Sequence, residues 1–224
     1  LREKERSSNY DIDHAHYSLS GYFVSLSNLK KPTVVSLMGS DVMSQSTNKH
    51  LINLFNKFSW DRLIVKSERL ADTLKISDLE IIPNGVDFNL FKPMDKDIAL
   101  DRIGWNKNKQ HILFASNPKR IEKNANLAIK AFEKLKNPNV ELHYLNGVDY
   151  NLVPYFLNAS DVLLMTSLWE GSPNVIKEAM ACSRPIVCTD VGDVEKIVQD
   201  TKGCYISPYD VVLLSKKIEM ALNF

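Results

Sequence analysis

The sequence predicts an α/β protein with parallel strands in an open sheet, as three features indicate. Short apolar runs with the length of buried strands alternate along the chain with stretches of helical periodicity. One such alternation, from Val162 to Thr189, can be assigned almost residue by residue as strand, helix and strand. The chain has 224 residues, 44% of them hydrophobic, which is enough for a sizeable core in one or two domains.

The central β-α-β unit begins with the apolar run Val162 to Met165, which has the character of a buried strand. After a loop, Ser172 is a suitable N-cap, and Pro173 suits the first helical position because its missing N–H would have no partner there. The second strand runs from Ile186 to Thr189. Two strands connected through a helix in this way are expected to be parallel, with a right-handed crossover.

The loop between the first strand and the helix is a candidate site for an anion or a polyol. Ligands of open parallel sheets collect at the carboxyl ends of the strands, and a helix N-terminus favours phosphate. Glu170 in the loop and Glu178 on the second helical turn can hold hydroxyl groups on either side of such an anion. A simpler interpretation also stands: Glu170 is solvated, and Glu178 favours the positive helix end by ~0.3–1 kcal/mol.

The overall composition excludes several classes of protein. A net charge of +1 argues against a nucleic-acid partner, and no apolar stretch approaches the length of a membrane span. The three cysteines are odd in number and lack metal-type spacing, so we expect Cys182 and Cys188 to be core residues in a reducing compartment. These features predict a cytoplasmic location, with membrane association left open.

A polar segment, Leu1 to Asn9, precedes the first predicted strand. The predicted strands are Asp11–Tyr17, Thr33–Leu37, Arg62–Val65 and Leu79–Ile82, and the predicted helices are Ser18–Leu29, Lys49–Phe58 and Ser67–Leu74. His14 and His16 lie at the end of the first predicted strand. Their role is either structural or catalytic. A metal site at this spacing would need further ligands. Asp41, after Met38-Gly39-Ser40, is a candidate helix cap.

In the second half, Pro83 to Asp87 combines a proline with an Asn-Gly turn signal and predicts a turn. The remaining predicted strands are His111–Ala115 and Val140–Leu145, with the last ending near Asp210, and the helices are Ala125–Lys136, Val153–Ala159 and Val211–Leu222. The loop Ser116 to Asn124 carries Lys119, Arg120 and Lys123 at the end of a strand. It is suited to a diphosphate, although an exposed basic loop is more commonly a solvated face.

Three segments carry a resemblance to a known family. EGSPNVIKEAMACSRPIVCTDVGDVEKIV, from Glu170 to Val198, resembles the signature of retaining glycosyltransferases of family 4, in which seven residues separate two glutamates. HAHYSLSG and PNGVD resemble two further segments of the same family. The resemblance implies a GT-B fold with two Rossmann-like domains. Residues 1–86 would be a partial acceptor-side domain, lacking two or three β-α units, and 87–224 a complete donor domain. Phe91, Pro93 and the segment Asp101 to Trp105 would form the inter-domain connection.

The resemblance also implies roles for individual residues. His16 would approach the transferred sugar, Glu170 would hold sugar hydroxyls, and Glu178 would hold the ribose. Lys123 and an arginine would contact the donor phosphates; Arg120 and Lys119 both fit the spacing, and Arg120 is preferred because its fork can hold two oxygens. Met38 departs from the histidine that the family often has there. The further donor-binding residues would be Asn146, Gly147, Gly171, Ser172, Pro173, Asn174 and Val175.

The implied reaction moves a hexose from a nucleotide diphosphate sugar to an acceptor hydroxyl with retention of configuration. No metal or other cofactor is expected, because the cations would neutralise the leaving diphosphate. The implied acceptor is a carbohydrate or lipid-linked molecule in polysaccharide or glycoconjugate synthesis, with peripheral membrane contact left open. Two alternatives are a phosphorylase or epimerase on the same fold, and a non-catalytic binding subunit that needs a partner to complete its first domain.

Overall fold

The structure is a computed structural model that describes residues 10–27, 31–43 and 46–224. The predicted polar lead-in and the end of the first predicted helix lie outside these ranges. The chain forms two compact units: unit 1 contains Leu1–Asn84 and Trp169–Ser172, and unit 2 contains Gly85–Leu168 and Pro173–Phe224. The predicted domain boundary at 86/87 stays a prediction. Each unit holds one parallel sheet, so the predicted α/β class is confirmed.

Unit 1 is built on a four-stranded sheet with the order β1-β2-β3-β4. The strands are β1 (Asp13–His16), β2 (Thr33–Ser36), β3 (Arg62–Val65) and β4 (Glu80–Ile81), and the helices are α1 (Ser18–Leu26), α2 (Ser40–Met43), α3 (Ser46–Phe58) and α4 (Glu68–Leu74). Every adjacent pair of strands is parallel. In the core of this unit, apolar side chains of the inner strands, such as Val35 and Leu63, pack against helix residues such as Ile52 and Leu70.

Unit 2 is built on a five-stranded parallel sheet with the order β6-β5-β7-β8-β9. The strands are β5 (Gln110–Phe114), β6 (Val140–Tyr144), β7 (Val162–Met165), β8 (Ile186–Thr189) and β9 (Cys204–Ser207). The helices are α5 (Lys96–Ile103), α6 (Ala125–Leu135), α7 (Val153–Ala159), α8 (Asn174–Ala181), α9 (Val194–Val198) and α10 (Val211–Leu222). Every residue of β7 and β8 is buried, as expected where helices cover both faces of a parallel sheet.

Several predicted elements need correction. Residues 101–105 are not a plain connection, because α5 runs from Lys96 to Ile103. Ser172 is not the N-cap of α8: the helix begins at Asn174, and Pro173 holds the cap position in extended conformation (ψ 113°). The short helices α2 and α9 were not predicted. Among the described residues, no helix combines the length and apolar character needed to cross a membrane.

Candidate functional site

The predicted donor-binding residues of unit 2 follow three neighbouring strands. The sheet order places β5 between β6 and β7, and all three are parallel. Their carboxyl ends therefore meet at one edge, where open α/β sheets bind ligands. The loop after β5 carries Arg120 and Lys123, the loop after β6 carries Asn146 and Gly147, and the connection after β7 leads into α8.

Lys123 is held beside β7 by its main chain. It is the last residue of a 3₁₀ turn, Ile121–Lys123. The hydroxyl of Thr166, which follows β7, donates to the carbonyl oxygens of Lys123 at 3.0 Å and of Asn124 at 2.9 Å. The amide of Leu168 donates to the carbonyl of Glu122 at 2.8 Å. These bonds join the two loops, so the position of the Lys123 backbone does not depend on its own side chain.

Arg120 is exposed and forms an ion pair with a neighbour in the same loop. Its Nε donates to Oε1 of Glu122 at 2.7 Å, and one terminal nitrogen lies 2.5 Å from the same oxygen. The guanidinium must therefore leave or share Glu122 in order to hold a phosphate. Lys119 is also exposed, and its backbone amide donates to Oδ1 of Asn117 at 2.9 Å. The structure leaves both residues as candidates for the second cation.

Glu178 is a buried carboxyl group on α8, with 7% of the residue exposed. Its Oε1 accepts a hydrogen bond from the hydroxyl of Tyr150 at 3.3 Å. Burial raises the pKa of Glu178, and the bond from Tyr150 opposes this shift. Burial and the neighbouring Glu178 charge raise the pKa of Tyr150 in turn. Tyr150 was not among the predicted site residues; it lies in a turn just after Asn146 and Gly147, and it connects their loop to α8.

The connection between β7 and α8 holds most of the other predicted donor-binding residues. Glu170 and Val175 are half-buried, Asn174 is exposed, and the segment Gly171 to Pro173 is buried. Ser167 anchors the start of this connection, because its carbonyl accepts hydrogen bonds from Thr189 Oγ1 at 2.7 Å and Tyr209 OH at 3.0 Å. Pro173 supplies no side-chain cap, so the first amides of α8 do not receive one from the cap residue.

In unit 1, His16 is the last residue of β1 and is exposed. Its ring centroid lies 4.4 Å from that of His14, whose Nε2 is 2.9 Å from Ser36 Oγ. Partial desolvation, and then the charges of His16 and Lys66, lower the pKa of His14. Tyr17, directly after His16, has φ +82°, a conformation that residues other than glycine rarely adopt. Another part of the unit must therefore hold this turn.

Asp41 supplies that support and is not a simple cap of the following helix. It lies inside α2 with 1% of its surface exposed. Its carboxylate accepts hydrogen bonds from the backbone amides of Ser18 at 3.0 Å and Gly39 at 2.9 Å, and also from that of Met38 at 3.1 Å. Burial raises the pKa of this carboxyl group, whereas the backbone hydrogen bonds lower it. The carboxylate thus joins the turn after β1 to the turn after β2.

We expect Asp41→Asn to destabilise unit 1 by about 1–2 kcal/mol, because an amide nitrogen cannot accept and leaves a buried N–H unpaired. The measurement is the midpoint of urea unfolding. Asp61→Asn is the matched control, since exposed Asp61 also accepts a backbone amide, that of Thr33, at 2.8 Å. Water can replace the exposed bond, so the control should lose far less stability. Equal losses in the two variants would contradict the structural role of Asp41.

Comparison with known proteins shows which sequences this chain is similar to. Residues 130–223 match a family described as "Glycosyl transferases group 1". The chain is similar to the Escherichia coli UDP-Gal:alpha-D-GlcNAc-diphosphoundecaprenol alpha-1,3-galactosyltransferase, with 27% identity over 85% of this chain and 60% of the relative. It is also similar to a D-inositol 3-phosphate glycosyltransferase of Arthrobacter sp. (strain FB24), with 24% identity over 89% of this chain and 59% of the relative. The chain thus spans about three fifths of these relatives' length.

Solved structures show the same fold over nearly the whole chain. Sucrose-phosphate synthase from Thermosynechococcus elongatus superposes with a TM-score of 0.84 at 17% identity, covering 99% of this chain and 67% of that one. Anabaena HepE in complex with UDP and glucose gives a TM-score of 0.84 at 19% identity, covering 99% of this chain and 70% of that one.

Proposed function

Because the chain belongs to the group 1 glycosyltransferases and has their GT-B fold, we propose that it transfers a hexose from a nucleotide diphosphate sugar to an acceptor hydroxyl with retention of configuration. One observation carries this proposal. Lys123 lies in the loop after β5, where its carbonyl accepts a hydrogen bond from Thr166. Strand β5 is the neighbour of β7, which leads into α8, so a cation and a helix N-terminus occupy the same sheet edge.

The diphosphate of the donor binds at this edge. Lys123, Arg120 or Lys119, and the first amides of α8 supply positive charge and hydrogen-bond donors. Glu178 accepts hydrogen bonds from the ribose hydroxyls, and Tyr150 keeps its carboxylate in place. Asn146 and Gly147, in the loop that also carries Tyr150, lie beside the base. Glu170 holds hydroxyls of the sugar, and His16 is proposed to contact the transferred sugar.

The chemical demand on the site is electrostatic. As the glycosidic bond breaks, the sugar gains positive charge and the diphosphate gains negative charge. Fixed cations and amides that already point at the phosphates stabilise this change without reorganising, which is a large source of catalysis. With these groups in place the transfer needs no metal ion.

The relatives suggest a donor and an acceptor class to test first. HepE is described with UDP and glucose, and the Escherichia coli relative uses a UDP-linked galactose and a diphosphoundecaprenol-linked acceptor. We therefore favour a UDP-hexose donor and a carbohydrate or lipid-linked acceptor for this chain, in glycan synthesis at the cytoplasmic side of a membrane.

A second candidate function follows from the share of the relatives that the chain covers. At about three fifths of their length, the chain would bind the donor without transferring the sugar. Donor binding without turnover of any sugar nucleotide, even with candidate acceptors, would favour this second function.

The donor-binding proposal predicts a thermal shift with one class of sugar nucleotide. A ligand at 100 times its dissociation constant adds ~2.7 kcal/mol, and each kcal/mol moves the midpoint of a chain this size by about 2–4 °C. A panel of UDP-, GDP- and CDP- or CMP-linked sugars should therefore contain one that raises Tm by about 5–10 °C, with the free nucleoside as control. If none does so, the donor site is wrong.

A further inference from the structure

Three side chains of strands β5 and β6 converge on a point that the proposed donor site does not use. The register pairs His111 with Glu141, and His143 lies two residues beyond Glu141. Paired residues of parallel strands, and residues two apart, share a face of the sheet. His111 is fully buried, whereas Glu141 and His143 are half-buried and reachable from solvent.

The distances within this group fit one metal ion. Nδ1 of His111 lies 3.0 Å from Nε2 of His143. Oε2 of Glu141 lies 3.8 Å from the first nitrogen and 3.6 Å from the second. A circle through three atoms with these separations has a radius of about 2.0 Å, so one point is about 2.0 Å from all three. Zinc binds imidazole nitrogen at ~2.0–2.1 Å and carboxylate oxygen at ~2.0–2.2 Å.

The surroundings of His111 direct a lone pair at that point. Its Nε2 lies 2.9 Å from the carbonyl oxygen of Asn106. A carbonyl can only accept, so Nε2 carries the proton, and the lone pair of Nδ1 faces Nε2 of His143. Contacts of this kind orient metal-binding histidines in proteins. The ring of Trp105 stacks on that of His143, with centroids 3.7 Å apart, and fixes its plane.

We propose that His111, Glu141 and His143 bind a divalent transition-metal ion of the Zn²⁺ type, with water as the fourth ligand. Two imidazoles and one carboxylate suit such an ion, whereas Mg²⁺ and Ca²⁺ prefer oxygen ligands throughout. The ion joins β5 to β6 and stabilises unit 2. It takes no part in sugar transfer, because the donor residues belong to the loops beyond the ends of these strands.

Lys109 modulates the affinity of this site. Its Nζ lies 3.0 Å from Oε1 of Glu141, the oxygen that does not face the histidines. The contact orients the carboxylate, but the positive charge of Lys109 repels a bound cation. Lys109→Gln should therefore tighten Zn²⁺ binding by roughly ten-fold, the effect of one positive charge on a divalent ion at short range in a water-like medium.

The test is thermal unfolding of tag-free protein in ZnCl₂ or in EDTA. Zn²⁺ at 100 times its dissociation constant should raise Tm by about 5–10 °C over EDTA. His143→Gln and Glu141→Gln, both at half-buried positions, should each remove the shift. His50→Gln, at an exposed histidine of α3, and Cys204→Ser, at a half-buried thiol, should retain it.

Equal Tm values in ZnCl₂ and EDTA would overturn the proposal, as would a shift that persists in both ligand variants. A shift that is lost in Cys204→Ser would place the ion on a thiol instead. Turnover of the sugar donor gives a separate result. It should survive EDTA at temperatures well below Tm, and its loss there would overturn the structural role of the ion even if donor binding were intact.

Discussion

Replacing Lys123 with alanine is expected to lower the turnover of the sugar donor by about 10²–10³-fold, equivalent to ~2.7–4 kcal/mol of barrier. The ammonium group would meet negative charge that develops on the diphosphate, so its removal affects the transition state more than the ground state. The main chain of residue 123 should stay in place, because Thr166 bonds to its carbonyl and not to its side chain. The loss should therefore appear mainly in kcat, with a smaller change in KM.

The assay for this prediction is release of the nucleoside diphosphate from the donor identified by thermal shift, using the full-length protein. Lys130→Ala is the matched control: it removes an exposed lysine from α6, the helix that follows the same loop. If Lys123→Ala and Lys130→Ala turn over within about three-fold of each other, the phosphate contact of Lys123 is wrong. Arg120→Ala and Lys119→Ala, tested in parallel, decide which of these two residues is the second cation.

The strands and helices with the clearest apolar patterns could be predicted from sequence. The bounds predicted for β3, β7 and β8 and for α7 and α10 agree with the structure, because their apolar residues end abruptly at polar or turn residues. Helix α5 was missed although its caps are visible in the sequence. Asp95 accepts from the amides of Asp97 at 2.9 Å and Ile98 at 3.1 Å, and Gly104 ends the helix with φ +73°. The resemblance indicates a domain connection in this segment, whereas the capping residues indicate a helix.

The loops of the candidate site could also be predicted, because each follows an apolar strand and parallel strands end at one edge. The side-chain pairings could not. Tyr150 and Glu178 are 28 residues apart, and their contact depends on the path of the loop after β6. The group of His111, Glu141 and His143 depends on the register of β5 against β6, which the sequence does not specify. The roles of the site residues themselves remain predictions.

Glu178→Gln is expected to stabilise the protein without donor and to weaken donor binding by about 10–100-fold. Burial raises the folded-state pKa of Glu178 above its ordinary value of 4.5, so the charged form is disfavoured in the folded protein. The sign follows from proton binding: between the unfolded and folded pKa values the folded state holds more protons, and stability falls as pH rises through this interval. At neutral pH the charged group is therefore destabilising, and an amide of the same shape removes that effect.

The same charge is useful when the donor is bound. A carboxylate accepts charge-assisted hydrogen bonds from both ribose hydroxyls, whereas glutamine offers one neutral acceptor. A hydrogen bond to a charged group contributes ~1.5–3 kcal/mol, which corresponds to about 10–100-fold in dissociation constant. Calorimetric titration of the donor measures this loss. Thermal unfolding of the protein alone should show a higher Tm for Glu178→Gln than for the unaltered protein.

Tyr150→Phe should change Tm in the opposite direction and so serves as the control. It removes a hydrogen bond that favours the carboxylate and leaves a buried charge less well solvated. In the double variant with Glu178→Gln this penalty should largely vanish, because no charge remains to be stabilised. The increase in Tm caused by Glu178→Gln should also become smaller as pH falls toward 4.5, because Glu178 itself then becomes protonated. A lower Tm together with an unchanged donor affinity would show that Glu178 is a structural residue and does not bind the ribose.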